Sequence, residues 1–134
     1  MLFRSSSIKY TIDTSAFSSF PKNSVFLKCT LTDLTNNYDT ISGYYYFVKP
    51  KELQLTKAKI VISQNHNTKE QSFTITSNQL AKDVFISIKG ETLNLSDNFF
   101  DLLPLESKTI HLPPNKLIED LQQKIQIISL VDTF

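Results

Sequence analysis

The sequence predicts an all-β sandwich, and three features of its pattern lead there. Apolar residues alternate with polar ones at a period of two in several short runs. Turn-forming clusters separate those runs at roughly 8–15-residue spacing. No long helical pattern alternates with the runs, so a parallel α/β sheet is not expected. A chain of 134 residues is long enough for one domain to bury a core of its own.

Each element has its own signal. Ile8, Tyr10 and Ile12 alternate with Ser7, Lys9 and Thr11. Val25, Leu27, Cys29 and Leu31 alternate with Phe26, Lys28, Thr30 and Thr32, which puts Cys29 on a core face. Ile41 to Val48 is aromatic on both faces, as a central or interface strand would be. Strands follow at Ile60 to Ser63, Phe73-Ile75-Ser77, Val84-Ile86-Ile88 and Ile110-Leu112, and the last runs from Ile125 to Val131. Turns fall at Thr35-Asn36-Asn37, Asn65-His66-Asn67, Ser77-Asn78, Lys89-Gly90-Glu91 and Pro113-Pro114-Asn115. One segment departs from the pattern: Asn115 caps a short helix over 116–123, with Leu117, Ile118 and Leu121 at helical spacing. Residues 1–23 read as an edge strand or linker of the same domain, and 24–134 as the sandwich itself.

Composition narrows the function. Fourteen basic against thirteen acidic side chains leave +1, which makes no electrostatic case for nucleic acid or an anionic membrane. The densest apolar run, Tyr44 to Val48, is too short to span a bilayer. Met1-Leu2-Phe3-Arg4 runs straight into serines, so no leader is expected at this end. A single cysteine excludes an internal disulfide and a cysteine-based zinc site. His66 falls in a turn, and His111 should face outward between Ile110 and Leu112, with no third ligand nearby. The only glycines, Gly43 and Gly90, make no phosphate loop. No cofactor and no metal are expected.

The most distinctive stretch runs from Asp97 to Glu106: Asp97, Asn98, Phe99, Phe100 and Asp101, then Leu102, Leu103 and Pro104. A glycosidase needs two carboxyl groups facing a sugar bond, ~5–5.5 Å apart in retaining enzymes. Asp97 and Asp101 are the nearest candidates, but their place between aromatics and a proline turn reads as turn chemistry, with backbone N–H groups as their partners. Phe99 and Phe100 should point to opposite faces, with only one of them deep in the core. Tyr44, Tyr45 and Tyr46 are candidates for an interface or a sugar contact. Alternation leaves at most half of that run on one face, and the chain has no Trp, so packing is the favoured reading.

The corner resembles the "DN-aromatic-FDL-x-PGE" segment in the C-terminal immunoglobulin-like domain of β-mannosidases of glycoside hydrolase family 2. Tyr44 to Lys51 followed by Glu52-Leu53 is similar to that family's aromatic strand ending in "F-x-x-P-K-E-L". Ile128-Ser129-Leu130-Val131-Asp132-Thr133-Phe134 is similar to its "ISL-x-D-T-aromatic" close. The resemblance covers roughly Ser24 to Phe134. It implies an immunoglobulin-like antiparallel β-sandwich with one short helix near the C-terminus. It also implies a non-catalytic accessory role on the other domains of a retaining β-mannosidase, weak carbohydrate contact at most, and a periplasmic, secreted or lysosomal setting. By the same resemblance the catalytic glutamates sit in an upstream (β/α)8 barrel, and none of Glu52, Glu70, Glu91, Glu106 and Glu119 falls in a segment matching it. The one departure is Leu105, where the family has Gly. Since Leu tolerates φ > 0 poorly, a type I turn is expected over Pro104-Leu105.

Overall fold

The computed structural model describes residues 11, 13–35, 40–65, 70–114 and 116–134. The chain divides into two compact units, Met1–Gln54 and Leu55–Phe134. The sequence reading began a single sandwich at residue 24, and the structure divides the chain thirty residues later, at Gln54. The physical reason lies in the ladder: among the described residues, Phe26–Thr32 (β1) and Thr40–Tyr46 (β2) pair only with each other.

In the first unit, β1 and β2 form an antiparallel ribbon in the register Leu27↔Tyr45, Cys29↔Gly43 and Leu31↔Ile41. Cys29 is exposed, which corrects its expected place in a core. Its neighbours Leu31 and Ile41 are each 73% exposed. The strands alternate at a period of two, but no third strand joins this ribbon among the described residues. A 3-10 turn over Thr14–Phe17 precedes it, capped by the Asp13 carboxylate, which accepts the Ser15 N–H at 2.9 Å. The expected strand through Ile8, Tyr10 and Ile12 lies outside the described residues.

The second unit is the sandwich. Ile60–Asn65 (β3), Ser72–Ser77 (β4), Ala81–Ile88 (β5), Phe100–Leu102 (β6), Ser107–His111 (β7) and Ile125–Ile128 (β8) form two three-stranded sheets, ordered β3-β4-β7 and β6-β5-β8. Every pairing within them is antiparallel. The central strands β4 and β5 are the most buried, because each has a neighbour on both sides and a sheet opposite. Phe73, Ile75 and Ile110 from one sheet meet Val84, Ile86 and Leu102 from the other in one apolar cluster. Two packed sheets around one core are the sheet-on-sheet solution of an all-β chain.

Two expected elements come out differently. The helix is Leu121–Lys124 (α1), not 116–123. The Gln71 amide takes both backbone groups of Ile118: its Nε2 donates to the Ile118 carbonyl at 2.8 Å, and its Oε1 accepts the Ile118 N–H at 2.7 Å. Those groups cannot then enter a helical ladder, so Ile118 and Leu121 are buried without sharing a helix face, and Leu117 is exposed. Asn115, the expected cap, lies outside the described residues. The last strand stops at Ile128 rather than Val131, and a 3-10 turn over Leu130–Thr133 follows. The Asp132 carboxylate ends the strand by accepting the Ser129 N–H and hydroxyl at 2.9 and 3.0 Å. That Ser-x-x-Asp spacing is a capping signal readable in the sequence.

Candidate interaction site at the Asp97–Glu106 corner

The corner begins with polar side chains that replace missing ladder bonds. Strand β6 covers only the first half of β5, with Ala81↔Leu102 and Val84↔Phe100 as partners. Beyond it, the Asn98 side chain takes over. Its Oδ1 accepts the Ile86 N–H at 2.8 Å and its Nδ2 donates to the Ile86 carbonyl at 2.9 Å. The Phe99 N–H donates to the Val84 carbonyl at 2.9 Å, which fixes the register. At neutral pH a carboxamide offers a donor and an acceptor side by side where a carboxylate offers acceptors alone, so the amide is what this position needs.

The two acids are bound separately. Asp97 accepts the Asn98 N–H at 2.8 Å and pairs with Lys108, whose ammonium also lies 4.3 Å from the centroid of the Phe100 ring. Asp101 accepts the Asp83 N–H at 2.9 Å, and the Lys82 ammonium lies 3.5 Å from the same carboxylate. This second cluster holds a β-bulge: three residue steps of β5 face two of β6, and Asp83 takes up the difference at φ +51°. Each carboxylate is thus matched to a lysine on a different strand, an arrangement that pins sheets rather than one that flanks a substrate.

The aromatic pair differs from its expected division. Neither ring is deep core. Phe99 sits at φ +58° and is 70% exposed, lying against Phe85 with ring centroids 4.9 Å apart. Phe100 is half-buried against the core. The fully buried corner residue is Leu102. A left-handed residue between Asn98 and Phe100 breaks the simple alternation on which the expectation rested.

The turn also corrects the expectation. Leu105 has φ +66°, and the Glu106 N–H donates to the Leu103 carbonyl at 3.2 Å. Positive φ at the third position, after Pro104 at the second, excludes type I and gives the type II form. Leu105 takes the strained conformation because its N–H reaches the Ser77 carbonyl at 3.2 Å, and Pro104 bridges Ser77 as well. The corner therefore bonds to β4 in one sheet and β5 in the other.

Beside it lies a small apolar cavity of about 260 Å³, whose walls include Phe85, Phe99, Ile128 and Leu130. At the chain end, Lys57 pairs with Asp132 at 2.9 Å. That ion pair, with the Ser129 N–H, holds the Asp132 carboxyl below its ordinary value of 3.8. His111 is exposed on β7, and His66 lies outside the described residues. Among the described residues, no group of three His, Cys, Asp or Glu is placed to hold a metal ion.

The tyrosines lie in the first unit. Tyr44 and Tyr46 share a ribbon face with Phe26, at centroid distances of 6.2 and 5.7 Å and ring inclinations of 65° and 38°. Tyr45 points to the other face and meets Phe47 edge-on at 5.2 Å. The three do not form one flat platform.

Two antiparallel sheets packed face to face, joined by such a corner and closed by one short helix, define the second unit as an immunoglobulin-like domain. The chain matches the Ig_mannosidase family of Ig-fold domains over residues 55–133, more than half its length, and belongs to that family. The match starts after β2, at the same boundary that divides the two units. A comparison with curated proteins finds no match.

Proposed function

We propose that this chain supplies the non-catalytic C-terminal accessory domain of a β-mannosidase-like glycoside hydrolase, and that it packs on and stabilises the neighbouring domains of that enzyme. The observation that carries the reading is the family match over residues 55–133. The corner's chemistry supports it, since Asp97, Asn98 and Asp101 are bonded to the domain's own backbone and lysines. The parent hydrolyses terminal non-reducing β-mannose with retention, using paired carboxylates held in a barrel that needs at least ~200 residues of its own.

Reading the coding region upstream tests this. A (β/α)8 barrel with two glutamates at the ends of its strands is expected, and its absence overturns the proposal. The rival reading, a sugar-binding module built on Tyr44, Tyr45 and Tyr46, is weakened by the ribbon register, which puts Tyr45 on the face opposite Tyr44 and Tyr46. Titrating manno-oligosaccharides to millimolar concentration while following tyrosine fluorescence decides it. No change is expected, and a saturable shift would support binding.

A further inference from the structure

Ahead of the sandwich, the first unit holds a cavity of mixed chemistry. Its volume is about 410 Å³, inside the ~300–1,000 Å³ range of small-molecule sites. Three successive tight turns build it. The Asp13 carboxylate caps Thr14–Phe17 by accepting the Ser15 N–H and hydroxyl, each at 2.9 Å. The Phe20 N–H then donates to the Phe17 carbonyl and the Ser24 N–H to the Pro21 carbonyl, both at 3.0 Å. These turns bring Phe17 and Phe20 to the same cavity as Val25, which leads into β1, and Phe47, which follows β2. Phe17 and Phe20 stay 38% and 56% exposed, so a solute can reach the rings. Asp13 and Lys22 line the cavity with them.

The two charges are not paired with each other, and among the described residues the Lys22 ammonium has no partner. Hydrogen bonds from the Ser15 backbone and hydroxyl hold the Asp13 carboxyl below its ordinary value of 3.8, so it is ionised at neutral pH. Each of its oxygens keeps a lone pair for a second donor. The walls thus offer an anion that only accepts, a cation that only donates, and an apolar surface of phenyl rings. A hydrocarbon would leave both charges unused, and a neutral sugar would use neither as a charge. A phosphate would meet the Asp13 carboxylate as a like charge. We infer that this cavity is a binding site for a small zwitterion of the amino-acid class with an aromatic or branched aliphatic side chain. Its ammonium goes to Asp13, its carboxylate to Lys22 and its side chain to the rings. The site lies wholly ahead of the matched residues 55–133 and goes beyond the accessory role proposed for that domain.

Three related probes test it by amide chemical-shift titration of the 134-residue chain. Phenylalanine carries both charges, phenethylamine only the ammonium and 3-phenylpropionate only the carboxylate. Phenylalanine should shift the Ser15, Phe17 and Phe47 amides saturably, with a Kd of roughly 1 mM. Each single-charge probe should bind about 3-fold or more weakly, the few-fold worth of one solvated ion pair. Asp13→Asn keeps a good cap for the turn. It should erase the advantage of phenylalanine over 3-phenylpropionate, and Lys22→Met should erase the advantage over phenethylamine. Unchanged amide positions in β4 and β5 show that a variant remains folded. No saturable shift with phenylalanine at tens of millimolar overturns the inference. So does equal affinity for all three probes, which marks a merely apolar cavity, or an advantage that survives both substitutions. None of these outcomes bears on the upstream barrel, which tests the functional reading separately.

Discussion

Replacing Asn98 with Ala should destabilise the second unit by about 3 kcal/mol. The figure follows from what the amide holds. Its Oδ1 and Nδ2 satisfy the N–H and the carbonyl of Ile86, a residue only 2% exposed. Truncation leaves two buried backbone groups without partners, each worth roughly 1–3 kcal/mol. The Phe99 N–H, which also reaches Oδ1, retains the Val84 carbonyl and adds little. The assay must respect the division of the chain. All five tyrosines precede Leu55 and there is no tryptophan, so intrinsic fluorescence does not see the sandwich unfold. Urea denaturation followed by far-UV circular dichroism gives the loss, and hydrogen exchange at the Ile86 amide localises it. Asn98→Asp sharpens the test. At neutral pH its carboxylate presents a second acceptor to the Ile86 carbonyl, and only the protonated form can donate there. The neutral form suits the folded state better, so the folded pKa of the variant lies above the unfolded ~3.9, and its stability falls as pH rises through that interval. A loss below ~1 kcal/mol for the Ala variant, with Ile86 protection unchanged, would refute the reasoning.

Other expectations follow from the same geometry. Leu105→Gly relieves a left-handed conformation at a residue 97% exposed, and urea titration should show a gain of about 0.5–1 kcal/mol after the entropy of glycine is subtracted. A loss would mean that the Leu105 side chain packs in the folded state. Leu102→Ala should cost ~2–5 kcal/mol, whereas Phe99→Ala, acting on a mostly exposed ring, should cost well under half as much in the same titration. Asp132 contributes stability that is present above its ordinary value of 3.8 and lost as pH falls through its lower folded value. Asp132→Asn should therefore be less stable than the parent chain at neutral pH, and the difference should shrink below about pH 3.8 in thermal melts.

The strands of the second unit were legible because both of their signals are local. Phe73 and Ile75, and Val84, Ile86 and Ile88, alternate cleanly and are buried as the period implies. Legibility failed where side chains act as backbone. Nothing near Ile118 announces that Gln71, forty-seven residues earlier, will bind its peptide groups and forbid a helix. The turn at Leu105 failed for a related reason. Local preference opposes φ > 0 for Leu, but bonds from Pro104-Leu105 to Ser77 in another strand outweigh ~1–2 kcal/mol of strain. Cys29 alternates as the period of two implies, but alternation alone cannot say whether a strand face is covered, and the thiol is exposed. The corner's value as a family marker was legible, because Asn98 and the acids around it are chemically specific. The exposure of Phe99 was not, since it follows from one dihedral angle.

Asn98 also bears on how this protein survives at high concentration. Strand β5 is eight residues long and β6 only three, so on that side β5 would otherwise present an open edge at Ile86. An open edge of this kind, flanked by Phe85 and Ile88, is a template on which a foreign strand can add, and it is where sheet proteins begin to aggregate. The carboxamide fills the hydrogen-bonding positions of a neighbour without offering a strand of its own to extend. The sheet is thereby blunted beside Ile86 by a single side chain, whose amide supplies both of the bonds a foreign strand would need.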